Sequence, residues 1–135
     1  MTARMTRNEA WSYLEAPLTN AVAVERGELA VIDTATGLLD KGGVSLTLSP
    51  IGYFEEDGTG DGATNFRVRL FREIRVHRWE NDTAGTPVVA TDFGSPCYIL
   101  DERTVSGSDG AGTRSSAGTV FGVDTSGVTV LPPTL

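Results

Sequence analysis

The sequence predicts a mainly β fold, a small β-barrel or β-sandwich, with an N-terminal arm carrying one short helix. Three observations carry this prediction. Sixteen glycines are spread through 135 residues instead of forming a periodic tract, and with the Thr, Ser, Asp and Val content they describe short strands joined by turns. Apolar and polar residues alternate along several short runs, the two-residue period of a half-buried strand. The single cysteine, Cys97, leaves no intrachain disulfide, yet a chain this long buries roughly two-thirds of its unfolded surface and needs no such staple.

Taken in order, Thr6 and Glu9 have the spacing of a capping box. Ala10, Trp11 and Leu14 follow at roughly helical spacing until Pro17 stops the run. A helix of about two and a half turns is marginal alone, so Trp11 and Leu14 must dock on this subunit or on a neighbour. We read residues 1–19 as the arm and residues 20–135 as a single β domain. Residues 21–24 lead into a turn at Arg26 and Gly27, and residues 29–33 read as a strand closed at Thr36 and Gly37. Val44, Leu46 and Leu48 alternate with small polar residues and predict a half-buried strand. Residues 55–62 form an acidic, glycine-rich loop.

The longest strand candidate spans residues 66–79. Phe66, Val68, Leu70, Ile74 and Val76 fall on one, mostly apolar face with Arg78, and Arg67, Arg69, Glu73, Arg75 and His77 on the other, mostly charged face with Phe71 and Trp79. Arg72 interrupts the apolar face and marks either a bulge or a boundary between two strands. A turn cluster follows at residues 81–87, then strands near 96–100, 117–123 and 128–131, with a loop at 106–116. An internal echo runs through the pattern. Residues 27–33 resemble 94–101 with one extra residue, residues 51–54 resemble 117–120, and residues 68–70 resemble 128–130. Two barrel-like halves would explain it.

Chemistry has few places to sit. The one histidine, His77, lies mid-strand with no Gly-x-Ser-x-Gly elbow elsewhere in the chain. Cys97 has no basic neighbour in sequence and is expected to be a buried structural thiol. One His and one Cys do not make a structural zinc site. Asp57 and Asp61–Gly62 copy part of a calcium-loop spacing, but Thr59 replaces a middle ligand and Val68 stands where the closing glutamate belongs. A solvated hairpin tip is the simpler reading. No cofactor and no enzymatic role are expected.

The net charge of −7 argues against direct binding to nucleic acid. No run approaches the roughly twenty apolar residues of a membrane span, and no apolar segment follows the basic start, so no signal peptide is expected. The basic residues are ten arginines and one lysine, Lys41, a bias that fits interfaces and equally fits a GC-rich genome. Five arginines stand against one glutamate within residues 66–79, for a local charge of +4. Their partners are either carboxylates of the same subunit (Glu55, Glu56, Asp57, Glu80, Asp82), carboxylates of a sister copy, or nucleic acid.

The run Tyr98-Ile99-Leu100-Asp101-Glu102-Arg103-Thr104-Val105 precedes Ala117-Gly118-Thr119-Val120 and then Asp124-Thr125-Ser126-Gly127-Val128-Thr129-Val130. This order resembles the closing portion of capsid decoration (head cement) proteins of tailed phages, and residues 27–37 with Ile51-Gly52 are similar to their start. The resemblance covers roughly residues 20–131 and leaves out the arm; the charged run 66–79 is longer than its pattern. It implies a virion structural protein on the capsid exterior, assembled in the host cytoplasm, often a homotrimer. Its partners would be the major capsid protein and sister copies, without membrane contact.

Candidate anchors for such contacts are the apolar Trp11 and Leu14 and the charged Arg67, Arg69 and Arg75. One rival is a carbohydrate- or receptor-binding module of a head fibre or tail, whose aromatics would be Tyr53, Phe54, Trp79 and Phe121. Another is a tail tube or head completion protein, which needs a long hairpin that only residues 66–87 can supply.

Overall fold

The computed structural model describes residues 4–5, 13–71 and 76–133, with residues 4–5 as backbone alone. Short strands with alternating burial account for most of it. They are β1 (Arg4–Met5), β2 (Tyr13–Pro17), β3 (Ala23–Val24), β4 (Leu29–Asp33), β5 (Leu38–Lys41), β6 (Leu48–Phe54), β7 (Gly58–Thr59), β8 (Asn65–Leu70), β9 (His77–Asn81), β10 (Pro96–Ile99), β11 (Thr104–Ser106), β12 (Ser116–Asp124) and β13 (Gly127–Leu131). The mainly β class is as the sequence predicts. No helix among the described residues is long and apolar enough to cross a membrane.

The strands divide into two halves of one design. In the first, the sheet order is β1-β2-β8-β6-β4-β5. This sheet curls until Leu18, just past β2, forms a parallel bridge to Leu39 of β5, and the Thr19 N–H donates to the Leu39 carbonyl at 2.9 Å. In the second, β9, β13, β12, β10 and β11 close a barrel, with β11 parallel to β9. There Val105 pairs with Asn81, and the Asp82 N–H donates to the Val105 carbonyl at 3.0 Å. Ranked along the chain, β2, β4, β5, β6 and β8 take the same places as β9, β10, β11, β12 and β13.

The match extends to single residues. The β4–β6 pair slips register so that Ala30 faces Gly52 and Val31 faces Pro50; in β10–β12, Cys97 faces Gly118 and Tyr98 faces Ser116. The Gly27 N–H donates to the Phe54 carbonyl and the Gly94 N–H to the Val120 carbonyl, both at 2.8 Å. Both glycines hold the left-handed backbone, at φ 92° and 83°, that a side chain resists. Gly52 and Gly118 each sit against the neighbouring strand, where a Cβ would lie 1.9 Å from the Arg69 carbonyl oxygen or 2.3 Å from that of Leu131. The internal echo is therefore a structural repeat. Its last segment is shifted from the sequence alignment, because Val68 opposite Phe54 corresponds to Val130 opposite Val120.

Each half has its own core, and the second borrows from the first. Leu14, Ala16, Leu18, Phe54, Phe66 and Val68 fill the first, and Cys97, Ile99, Val105, Val120, Val128 and Val130 the second. Leu29 and Val31 on the opposite face of β4, with Phe71 beyond β8, join the second core. Polar links fix the junction. The Leu29 N–H donates to the Glu102 carbonyl at 2.9 Å, and the Ser115 hydroxyl donates to the Ser45 carbonyl at 2.6 Å. Buried Glu28 accepts from the Arg103 guanidinium at 3.3 Å.

Three expectations change. The segment that would end the arm's helix is strand β2 from Tyr13 onward, alternating half-buried Tyr13 and Glu15 with buried Leu14 and Ala16 against β8; the rest of that expected helix lies outside the described residues. The long run 66–79 is not one strand but two in different sheets, the alternative that Arg72 offered, with β8 ending at Leu70 and β9 starting at His77. Val44 and Leu46 belong to no strand, since β6 starts only at Leu48.

Candidate interaction surfaces

Strand β8 sends Phe66, Val68 and Leu70 into the first core and therefore turns Arg67 and Arg69 outward. Across the ladder, Arg69 stands opposite Tyr13 of β2 and Tyr53 of β6, and Arg67 opposite Glu15. The two guanidinium carbons lie 3.8 and 4.3 Å from the centroid of the Tyr13 ring, close enough for cation–π attraction from both. Arg69 Nε donates to Glu55 Oε1 at 2.9 Å, and its Nη2 donates to the Tyr13 hydroxyl. The Arg67 backbone N–H donates to Glu56 Oε2 at 3.1 Å. Of the partners open to these arginines in the sequence, same-subunit Glu55 is in place on the Arg69 guanidinium. The result is a cationic, aromatic cluster on the outer face of the first half.

The other expected anchors are placed differently. Leu14 is buried in the first core, so its side chain offers little to a partner. Trp11 and Arg75 lie outside the described residues. Arg78 pairs with Asp124 at 2.7 Å on the exposed face of the second barrel. Among the aromatics considered for glycan contact, Phe54 is fully buried, and Tyr53 and Trp79 pack on the second core.

Only Phe121 of that group is exposed, and it has a companion that sequence reasoning missed. Phe93 and Phe121 have ring centroids 5.7 Å apart, and both face solvent beside Val89. Phe121 is the extra residue where the β12–β13 register slips between Val120 and Gly122. A second exposed apolar pair, Val44 and Leu46, lies in the loop between β5 and β6. The signal that could have found the Phe pair is the repeat itself. Phe93 precedes Gly94 as Arg26 precedes Gly27, and Phe121 follows Val120 as Glu55 follows Phe54.

The chemistry-bearing groups are engaged in the fold. His77 packs its ring on Phe71 and Tyr53, at 4.6 and 5.8 Å between centroids. Burial pushes the Cys97 thiol up to about 12, so it stays protonated and unreactive at neutral pH. In the calcium-like loop, Asp61 accepts the Ala63 and Thr64 N–H groups and the Thr64 hydroxyl, which holds its carboxyl down at about 2. Asp57 accepts the Arg26 N–H at 2.7 Å. The two carboxylates thus close turns and do not converge on a common point. Compared with family models, curated proteins and solved structures, the chain matches none.

Proposed function

We propose that this protein is a virion structural protein, a capsid decoration protein that binds the outside of a tailed-phage head and stabilises contacts between major capsid subunits. The observation that carries the reading is the ordered likeness of residues 98–130 to the closing part of such proteins, a stretch that falls on β10 to β13. Two further features agree with a binding role. The groups best suited to catalysis, His77 and Cys97, are stacked or buried, while the outer surface carries a half-buried Arg–Tyr cluster and an exposed aromatic pair. A molecule that binds only the assembled shell stabilises it by mass action, and many identical sites add avidity.

The test is cosedimentation of the full chain with expanded, undecorated shells of the same virus. Saturable binding, with a higher shell melting temperature, is the expected result; absence of saturable binding rejects the reading. Because β2 belongs to the first sheet, the arm's contribution is tested by Trp11→Ala and not by truncation. The tail-tube alternative loses its hairpin, because β8 and β9 belong to different sheets.

A further inference from the structure

The repeat shows what one half has and the other lacks. In the first half, the connection from β6 to β8 is long, and its strand β7 pairs with β3, so that Ala23 faces Thr59 and Val24 faces Gly58. Asp57 of the same loop binds the Arg26 backbone N–H. In the second half, β12 turns directly into β13 at residues 125–126, and no such loop exists. The residues that answer to β3 are the 3-10 turn Ala90–Asp92, which has no strand partner among the described residues. Among the described residues, no extended segment pairs there in the second half as β7 pairs with β3 in the first. There the charged Arg26 and Glu55 are replaced by Phe93 and Phe121.

Among the described residues, the chain also carries a second exposed apolar segment. Val44 and Leu46 are 58% and 66% exposed, while Val89, Phe93 and Phe121 are 48%, 63% and 53% exposed. Among the described residues, only Val76 is a further large hydrophobic in that state. One copy cannot bring these two patches together. Ser45 is tied to Ser115 by the 2.6 Å hydrogen bond, and Ser115 leads straight into β12. Phe121 lies five residues beyond Ser116 on that strand, roughly 17 Å away at about 3.3 Å per residue.

We propose that a second copy of this chain fills the gap. Its Val44–Leu46 loop lies across Val89, Phe93 and Phe121, taking the position that the β6–β8 loop takes over the first half. The two surfaces differ, so the contact is head-to-tail and closes into a ring when the rotation permits. Aromatic side chains of this kind dominate interface energetics, whereas the surrounding polar residues add little. The proposal does not depend on the shell reading, since it concerns copies of this chain alone.

Two double variants test it, Val44→Asp with Leu46→Asp and Phe93→Asp with Phe121→Asp. All four sites are exposed, so each variant should keep the wild-type circular dichroism spectrum, and its melting behaviour at dilutions where the wild type is monomeric. By sedimentation velocity the wild type should associate, and each variant should run as the 14.3 kDa monomer. An equimolar mixture of the two variants retains one intact pair of patches and should form a 1:1 dimer and nothing larger. A wild type that stays monomeric up to about 1 mM, variants that associate as the wild type does, or a mixture that stays monomeric would each overturn the proposal. Shell binding lost in the Phe variant while the wild type is monomeric would assign the patch to the capsid and reject the copy contact.

Discussion

Gly52 and Gly118 mark the points where two strands come so close that a single methyl decides the packing. An added Cβ meets a backbone oxygen in both cases, and backbone cannot step aside as a flexible side chain can. Gly118 adds a left-handed φ of 136°. Gly52→Ala and Gly118→Ala should each destabilise the fold by about 3 kcal/mol, whereas Gly43→Ala, with open space around it, should shift the urea midpoint very little. Equal stability of the three variants would contradict this. Asp82 poses the other residue-scale question. Buried, it accepts the Gly85, Ala84 and Thr86 N–H groups and the Ser106 hydroxyl, and these bonds hold its carboxyl below the ordinary 3.8. A carboxylate depressed in the folded state stabilises above its unfolded value, and that contribution is lost as pH falls through the folded value. Asp82→Asn should therefore cost about 2 kcal/mol at pH 7. It should also flatten the acid limb of stability below pH 3.8, as read from urea midpoints across pH.

The strands show which sequence signals are strong enough to read unaided. Residues 66–70 alternate cleanly and become β8, while the β-rich runs 29–33, 117–123 and 128–131 become β4 and the β12–β13 hairpin. Two elements misled for physical reasons. Leu14 and Ala16 suit a strand, yet Trp11 and Leu14 also suit a helix, and the choice falls to β8, which supplies a partner edge for β2. The break between β8 and β9 has no glycine or proline to announce it. Its trace is a change of phase, since even-numbered Phe66, Val68 and Leu70 face the first core but odd-numbered Phe71 and Trp79 pack on the second. The arginine platform was half legible: strand alternation turns Arg67 and Arg69 outward, but only the β2 register puts Tyr13 beneath them. The junction between halves was not legible, because Glu28 and Arg103 are far apart in sequence. Arg103→Ala should cost about 1–2 kcal/mol, modest because the arginine is half exposed but real because Glu28 is buried. A double-mutant cycle with Glu28→Gln should show positive coupling; simple additivity would mean the contact contributes nothing.

At the scale of the whole molecule, the question is whether the two halves unfold together. The face of the first half that packs on the second carries Leu29, Val31 and Tyr53. Its counterpart in the second half carries Pro96, Tyr98 and Thr119, of which Pro96 and Thr119 are exposed. The shared core predicts a single cooperative transition, since the second barrel is incomplete without Leu29, Val31 and Phe71. Phe54→Ala, confined to the first core, should cost about 3–5 kcal/mol. Its effect should reach the other half undiminished. In a Trp11→Phe background, Trp79 is the one remaining tryptophan and reports from the second barrel. Its fluorescence midpoint should then fall together with the far-ultraviolet dichroism midpoint. Two separate transitions, with the Trp79 midpoint unmoved by Phe54→Ala, would show instead that the halves are independent folding units joined only by surface contacts.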